Sequence, residues 1–129
     1  MPIQTIRDVP WNPLLVQQGI TQLLIGYCPG FTGSGLPMGL GYLTVYYCLD
    51  FIGDGLPPDL PHIMVLGCPV FDGRTLVDSV RHLMVYDCPS FTGAELIHVP
   101  RNLAVHACPS FKVDNLREKP LNLRVFPHT

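Results

Sequence analysis

The chain has little charge of either sign, and what it has is nearly balanced. Charged residues are 14% of its 129 positions and the net charge is −2, so the basic excess of a general nucleic-acid binder is missing and no nucleic-acid partner is expected. No window approaches the roughly twenty apolar residues that a membrane-spanning helix needs, so no membrane partner is expected either. The stretch from Met1 to Asp8 lacks a basic segment followed by an apolar run. No secretory leader is read there, and the expected location is intracellular, in the cytoplasm. Marks of common chemistries are missing as well. There is no Gly-x-Ser-x-Gly element, and Ser34, Ser79, Ser90 and Ser110 have no His and acid partners at a fixed spacing. Gly33-Ser-Gly35 and Gly53-Asp-Gly55 lack the third glycine of a dinucleotide loop. The cysteines do not stand in the close pairs that zinc sites use. No catalytic residue, cofactor or metal is assigned, and the chain is read as non-enzymatic.

What is present is apolar material, 47% of the residues, enough for a core and without the composition of a disordered chain. Its arrangement repeats every twenty residues without insertion. Cys28-Pro-Gly-Phe31 recurs as Cys48 to Phe51, Cys68 to Phe71, Cys88 to Phe91 and Cys108 to Phe111. The same ruler catches Leu23, Leu43, Ile63, Leu83, Leu103 and Leu123. It catches Ile25, Val45, Val65, Val85, Val105 and Val125, and then Leu36, Leu56, Leu76, Leu96 and Leu116. A fixed period of this size marks a solenoid, in which each turn buries its apolar side against its neighbours.

Around Leu23 and Ile25 the alternation has period two, so these side chains point inward while Gln22, Leu24 and Gly26 point outward. The equivalent strands lie parallel, about 4.8 Å apart. Pro29, Pro69, Pro89 and Pro109 follow the cysteines, where the strand has ended and no ladder N–H is needed. Phe31 and its equivalents return to the core. Only about eight to ten residues remain for the way back, too few for a good helix. The fold expected is a repeat solenoid with one parallel β-sheet on the concave side, a back wall of extended segments, turns and 3₁₀ turns, and little α-helix.

Ile20 to Phe31 reads L-x-x-L-x-L-x-x-C-x-x-F, and Leu40 to Phe51, Leu60 to Phe71 and Val80 to Phe91 follow the same template. This resembles the leucine-rich repeat in its cysteine-containing form, over roughly residues 20–126. The element Phe-Thr-Gly-x-x-Leu is similar to the Ile-Thr-Asp-x-x-Leu that opens the helix in longer cysteine-containing repeats of F-box proteins. The twenty-residue length, with Leu36-Pro37 and Leu56-Pro57 at the junctions, is similar to repeats of secreted bacterial effectors. The resemblance implies a protein partner bound on the concave face, with recognition of a substrate for a ubiquitin-type ligase as its sharper form. For a secreted effector it implies the host cytoplasm. Neither an F-box-like segment nor a ligase module accompanies the repeats.

One solenoid is read over residues 1–129, with a degenerate N-terminal cap repeat at 1–18, five repeats at 19–118 and a truncated last repeat at 119–129. Counting back in twenties puts Ile3 at the Leu23 place, Asp8 at the Cys28 place, Trp11 at the Phe31 place and Val16 at the Leu36 place. His128 takes the cysteine place in the last repeat. The end strands present uncapped edges, so end-to-end self-association as a structural element is the alternative function.

All five cysteines fall on the ruler. Neighbours about 5 Å apart satisfy the distance limits of a disulfide, but on successive parallel turns their side chains point the same way, so reduced, buried, packing thiols are expected. His62 and His82 stack in one outward column with Gln22, Tyr42, Asn102 and Asn122, which supply no further strong metal ligands. A second outward column is Leu24, Thr44, Met64, Met84, Ala104 and Arg124. A third is Gly26, Tyr46, Leu66, Tyr86, His106 and Phe126. Rich in Tyr, Met and His and poor in Lys and Glu, this face has the composition of an interface core. The partner-binding residues expected are Tyr42, Tyr46, His62, Met64, Leu66, His82, Met84, Tyr86 and His106.

Overall fold

Seven five-residue strands run parallel in chain order: β1 (Ile3–Arg7), β2 (Gln22–Gly26), β3 (Tyr42–Tyr46), β4 (His62–Leu66), β5 (His82–Tyr86), β6 (Asn102–His106) and β7 (Asn122–Phe126). The computed structural model describes residues 3–126, so the expectation for His128 lies outside the described residues. From β2 onward each strand pairs with the next at an offset of twenty residues, as in Leu23 opposite Leu43 and Val45 opposite Val65. The chain is a parallel β-solenoid, with no α-helix among the described residues and two single 3₁₀ turns at Pro13–Leu15 and Val113–Asn115.

Strand residues alternate in burial as the period-two pattern requires. Leu23, Ile25, Leu43, Val45, Ile63, Val65, Leu83, Val85, Leu103 and Val105 are all buried. Behind them Phe31, Phe51, Phe71 and Phe91 are fully buried, each ring stacked on the next at 5.4 to 5.9 Å. Burying such a side chain is worth about 1.5–3 kcal/mol, and stacking adds about 0.5–1.5 kcal/mol. The expected five-ring core needs one correction. Phe111 continues the stack at 5.6 Å but is only half-buried, because no further turn covers its outer face among the described residues. Leu123 and Val125 likewise occupy inward places without being buried.

The cysteines stand where the chain leaves each strand, and all five are free and buried. Each sulfur lies near two carbonyl oxygens. For Cys68 these are Leu66 at 3.6 Å on its own turn and Val45 at 3.9 Å on the turn before. Just ahead of each cysteine, Tyr27, Tyr47, Asp87 and Ala107 adopt φ of 52° to 54°, and Gly67 takes the same place at 65°. The corner thus needs a left-handed residue, which its N–H repays by continuing the ladder, as Tyr47 N to Leu66 O at 2.8 Å. The return segments form no strand ladder and are tied from turn to turn by scattered backbone bonds, such as Gly53 N to Thr32 O at 2.9 Å, and by side chains. Gly30 N donates to the Asp50 carboxylate at 2.8 Å, and the Ser79 hydroxyl donates to Leu60 O at 2.8 Å.

The first repeat differs from the expected register. Ile3 pairs with Gln22 and Ile6 with Ile25, an offset of nineteen, so Gln4, not Ile3, takes the Leu23 place. Asp8 takes the Tyr27 place, not the Cys28 place: both have left-handed φ, 60° and 54°, and both N–H groups bond the neighbouring strand's last carbonyl. The missing residue lies in the corner between Asp8 and Trp11. The Cys28 sulfur shows the same shift, reaching back to Ile6 O over 22 residues where the later cysteines reach over 23. Beyond the corner the ruler holds again, with the Trp11 ring 4.5 Å from that of Phe31. Gln4 closes this end of the core with its amide, donating to Leu15 O at 2.7 Å and accepting from Gln17 N at 2.8 Å.

Candidate functional site

The outward residues of seven parallel strands form three columns across the sheet. Register places Tyr42, His62 and His82 side by side, then Thr44, Met64 and Met84, then Tyr46, Leu66 and Tyr86. The structure therefore gathers all nine sequence-predicted residues on one face. Only Tyr42 among them is exposed; the other eight are half-buried. Tyr42 stacks on His62 at 4.4 Å and His62 on His82 at 4.3 Å. On the far column Tyr86 stacks on His106 at 4.2 Å and His106 on Phe126 at 4.1 Å. The two ring columns stand on either side of a middle column of Thr44, Met64, Met84 and Ala104.

Two hollows open on this face. One of 280 Å³ is lined by Tyr42, Thr44, His62, Met64, His82 and Met84 among others. The second, of 380 Å³, continues past His82 and Met84 to Asn102, Ala104, Asn122 and Arg124. Sharing His82 and Met84, they make one groove across the strands. The pattern of burial affects the groove's chemistry. Removal of the His62 ring from water, then the nearby His82, lowers the His62 pKa below its ordinary 6.5, weakly opposed by the Gly41 backbone. Its Nδ1 is buried with no well-formed hydrogen bond.

Sequence reasoning missed a second aromatic cluster at the corner of the sheet. Tyr27 stacks on Tyr47 at 5.3 Å, meets the edge of Tyr46 at 5.7 Å, and carries the Arg7 guanidinium 5.5 Å from its ring centre. Tyr46 does not stand upright in its column: its ring lies over Gly26, where a Cβ would collide with it. Tyr47 lies over Gly67 in the same way. The signal was available in the ruler, since Tyr27 and Tyr47 are twenty residues apart. They follow the strands, however, and the outward columns were read only within them. Arg7 was missed because the first repeat was taken one residue out of register.

No protein-family profile, curated protein or solved structure matches the chain. Its class is carried by its own geometry, a parallel β-solenoid of about twenty residues per turn with a cysteine at each corner from β2 to β6.

The cysteines do not join the outward face. Burial pushes the Cys68 and Cys88 thiols up to about 12 and raises those of Cys48 and Cys108. A protonated, enclosed thiol is a poor nucleophile. Among the described residues no group of three or more His, Cys, Asp or Glu side chains is placed to hold a metal ion.

Proposed function

We propose that the chain is a non-enzymatic protein-interaction module that takes a segment of a partner along the groove of its outward sheet face. The observation that carries this reading is the composition of that face. From Gln22 to Phe126 its three columns hold seven aromatic or imidazole rings and two methionines, and no Asp, Glu or Lys. Interface cores are enriched in Tyr, Phe and Met and depleted of Lys, Glu and Asp. Cross-strand pairing alone does not require this composition, since Thr or Val pairs support a ladder at about 0.2–1 kcal/mol each. Met64 and Met84 supply flexible thioethers that adapt to a partner's shape, and Tyr46 and Tyr86 supply the rigid anchors typical of binding hot spots.

The repeat template sharpens the proposal. As a leucine-rich-repeat-like chain of the cysteine-containing type, similar to F-box and bacterial-effector repeats, it would present a ligase substrate in the cytoplasm, with ubiquitin-transfer chemistry supplied outside these repeats. A photo-crosslinking residue tests the face directly. Placed at Thr44 or Ala104 in the groove, it should yield a covalent adduct with a different protein, and the same probe at Ile97 on the back wall should not. Adducts formed mainly from Ile97 would overturn the reading. Adducts joining two copies of the chain would replace it with self-assembly.

A further inference from the structure

We infer that His62, Met64, His82 and Met84 form a binding site for a soft monovalent cation, of which Cu(I) is the biological example. Strands β4 and β5 carry the same His-x-Met pattern in matched register, His62 opposite His82 and Met64 opposite Met84. Residues two apart on a strand share a face about 6.6 Å apart, and neighbouring strands lie about 4.8 Å apart. The four side chains therefore stand at the corners of a small rectangle, and all four line the same 280 Å³ hollow. The column-by-column sequence reading left the histidines without further ligands because the thioethers lie in the adjacent column.

The geometry suits two imidazoles acting together. Their rings are parallel to within 3° and 4.3 Å apart. Two imidazoles this close can reach one cation, which each nitrogen binds at about 2.0–2.1 Å, once the rings turn out of the stack. Ring lone pairs lie in the ring plane, so on loading the stack opens, each ring turning towards the groove. The buried Nδ1 of His62 has no well-formed hydrogen bond, the Gly41 backbone being its one weak neighbour. Methionine side chains have three rotatable bonds with which to close the remaining positions.

The ligand set also selects the ion. Thioether sulfur with imidazole nitrogen favours Cu(I) among biological cations. Mg²⁺ and Ca²⁺ require oxygen ligands, usually carboxylates, and the three outward columns contain no Asp or Glu. Zn²⁺ would find two nitrogens and none of the thiolate or carboxylate ligands that complete its usual sites. This site does not depend on the protein partner proposed above, because the cation alone suffices to probe it.

Silver(I), a redox-inert stand-in for Cu(I), provides the test, read by NMR of methionine methyl groups in the reduced full-length chain. The sequence has four methionines. The Met64 and Met84 signals should shift together and saturate at one equivalent of Ag(I), while those of Met1 and Met38 stay in place and Zn(II) moves none of them. His62→Phe with His82→Phe, or Met64→Leu with Met84→Leu, keeps rings or volume and removes the ligand atoms. Each pair should weaken binding by more than the about 10- to 100-fold that loss of an outer-shell partner costs. The proposal is overturned if all four methyl signals move alike, if Zn(II) produces the same shifts, or if the first equivalent instead gives silver–thiolate absorption from the cysteines. Should either variant pair fail to fold, the pattern of shifts in the unaltered protein still decides.

Discussion

The two faces of the sheet are built from alternate residues of the same strands, yet they follow different rules. Inward, the places hold only Leu, Ile and Val from β2 to β6, with Phe and Cys repeated behind them. Each turn there packs on a copy of itself, so a residue that fits once fits every time. Outward, equivalent places change from Gln22 to Tyr42 to His62 to Asn102, or from Leu24 to Thr44 to Met64 to Arg124. The inner face is uniform because it must stack. The outer face is free to vary, as the proposed binding of a non-periodic partner would require.

The largest effect is expected at the thiols. Raising Cys68 and Cys88 from 9.0 to about 12 lowers the thiolate fraction about a thousand-fold at neutral pH, and burial blocks access as well. A thiol reagent should label few of the five cysteines in the native protein and all of them after denaturation. Rapid native labelling of three or more would place the corner outside the packed interior.

Next is the ring stack. Phe71→Ala opens a cavity between two covered neighbours and should cost about 3–5 kcal/mol in denaturant unfolding. Phe111→Ala should cost less, since that ring is half-buried. Equal losses would mean that the stack is supported uniformly along its length, contrary to the burial pattern.

How far each face could be read from the sequence follows from the same contrast. Strand positions, the phenylalanine stack and the cysteine corner were legible because each recurs on one ruler. The nine outward residues were also placed correctly, since inward and outward places alternate strictly. Register failed at Gln4, where a polar residue closes the core through backbone partners at Leu15 and Gln17. A corner one residue shorter than the rest leaves the apolar pattern nearly unchanged, so Ile3 looked like a core residue. Tyr27 and Tyr47 were missed for a different reason. A left-handed corner residue points its side chain across the sheet's edge, and no two-residue alternation reports that.

A smaller effect is expected from pH. The folded chain holds His62 below its ordinary pKa of 6.5, so the unfolded chain binds more protons in the window below that value. The stability linked to His62 is complete above about pH 6.5 and is lost as pH falls through and below it. The thermal midpoint should therefore drop between about pH 7.5 and about pH 5.5, and His62→Gln should flatten part of that slope. An unchanged slope in the variant would assign the acid sensitivity to other groups.

The central claim is that one sheet separates folding from binding, and β5 offers its most direct test. Leu83 faces inward and Tyr86 outward, three residues apart on the same strand. The measurement is the stability of each alanine variant beside its affinity for the partner captured from the groove. Leu83→Ala should lose about 2–5 kcal/mol of stability while its folded fraction keeps the original affinity. Tyr86→Ala should weaken binding by about 2 kcal/mol or more and destabilise the fold by less than about 1.5 kcal/mol. If Tyr86→Ala instead unfolds the chain, or leaves partner affinity untouched, the outward face supports the ladder and is not the binding surface.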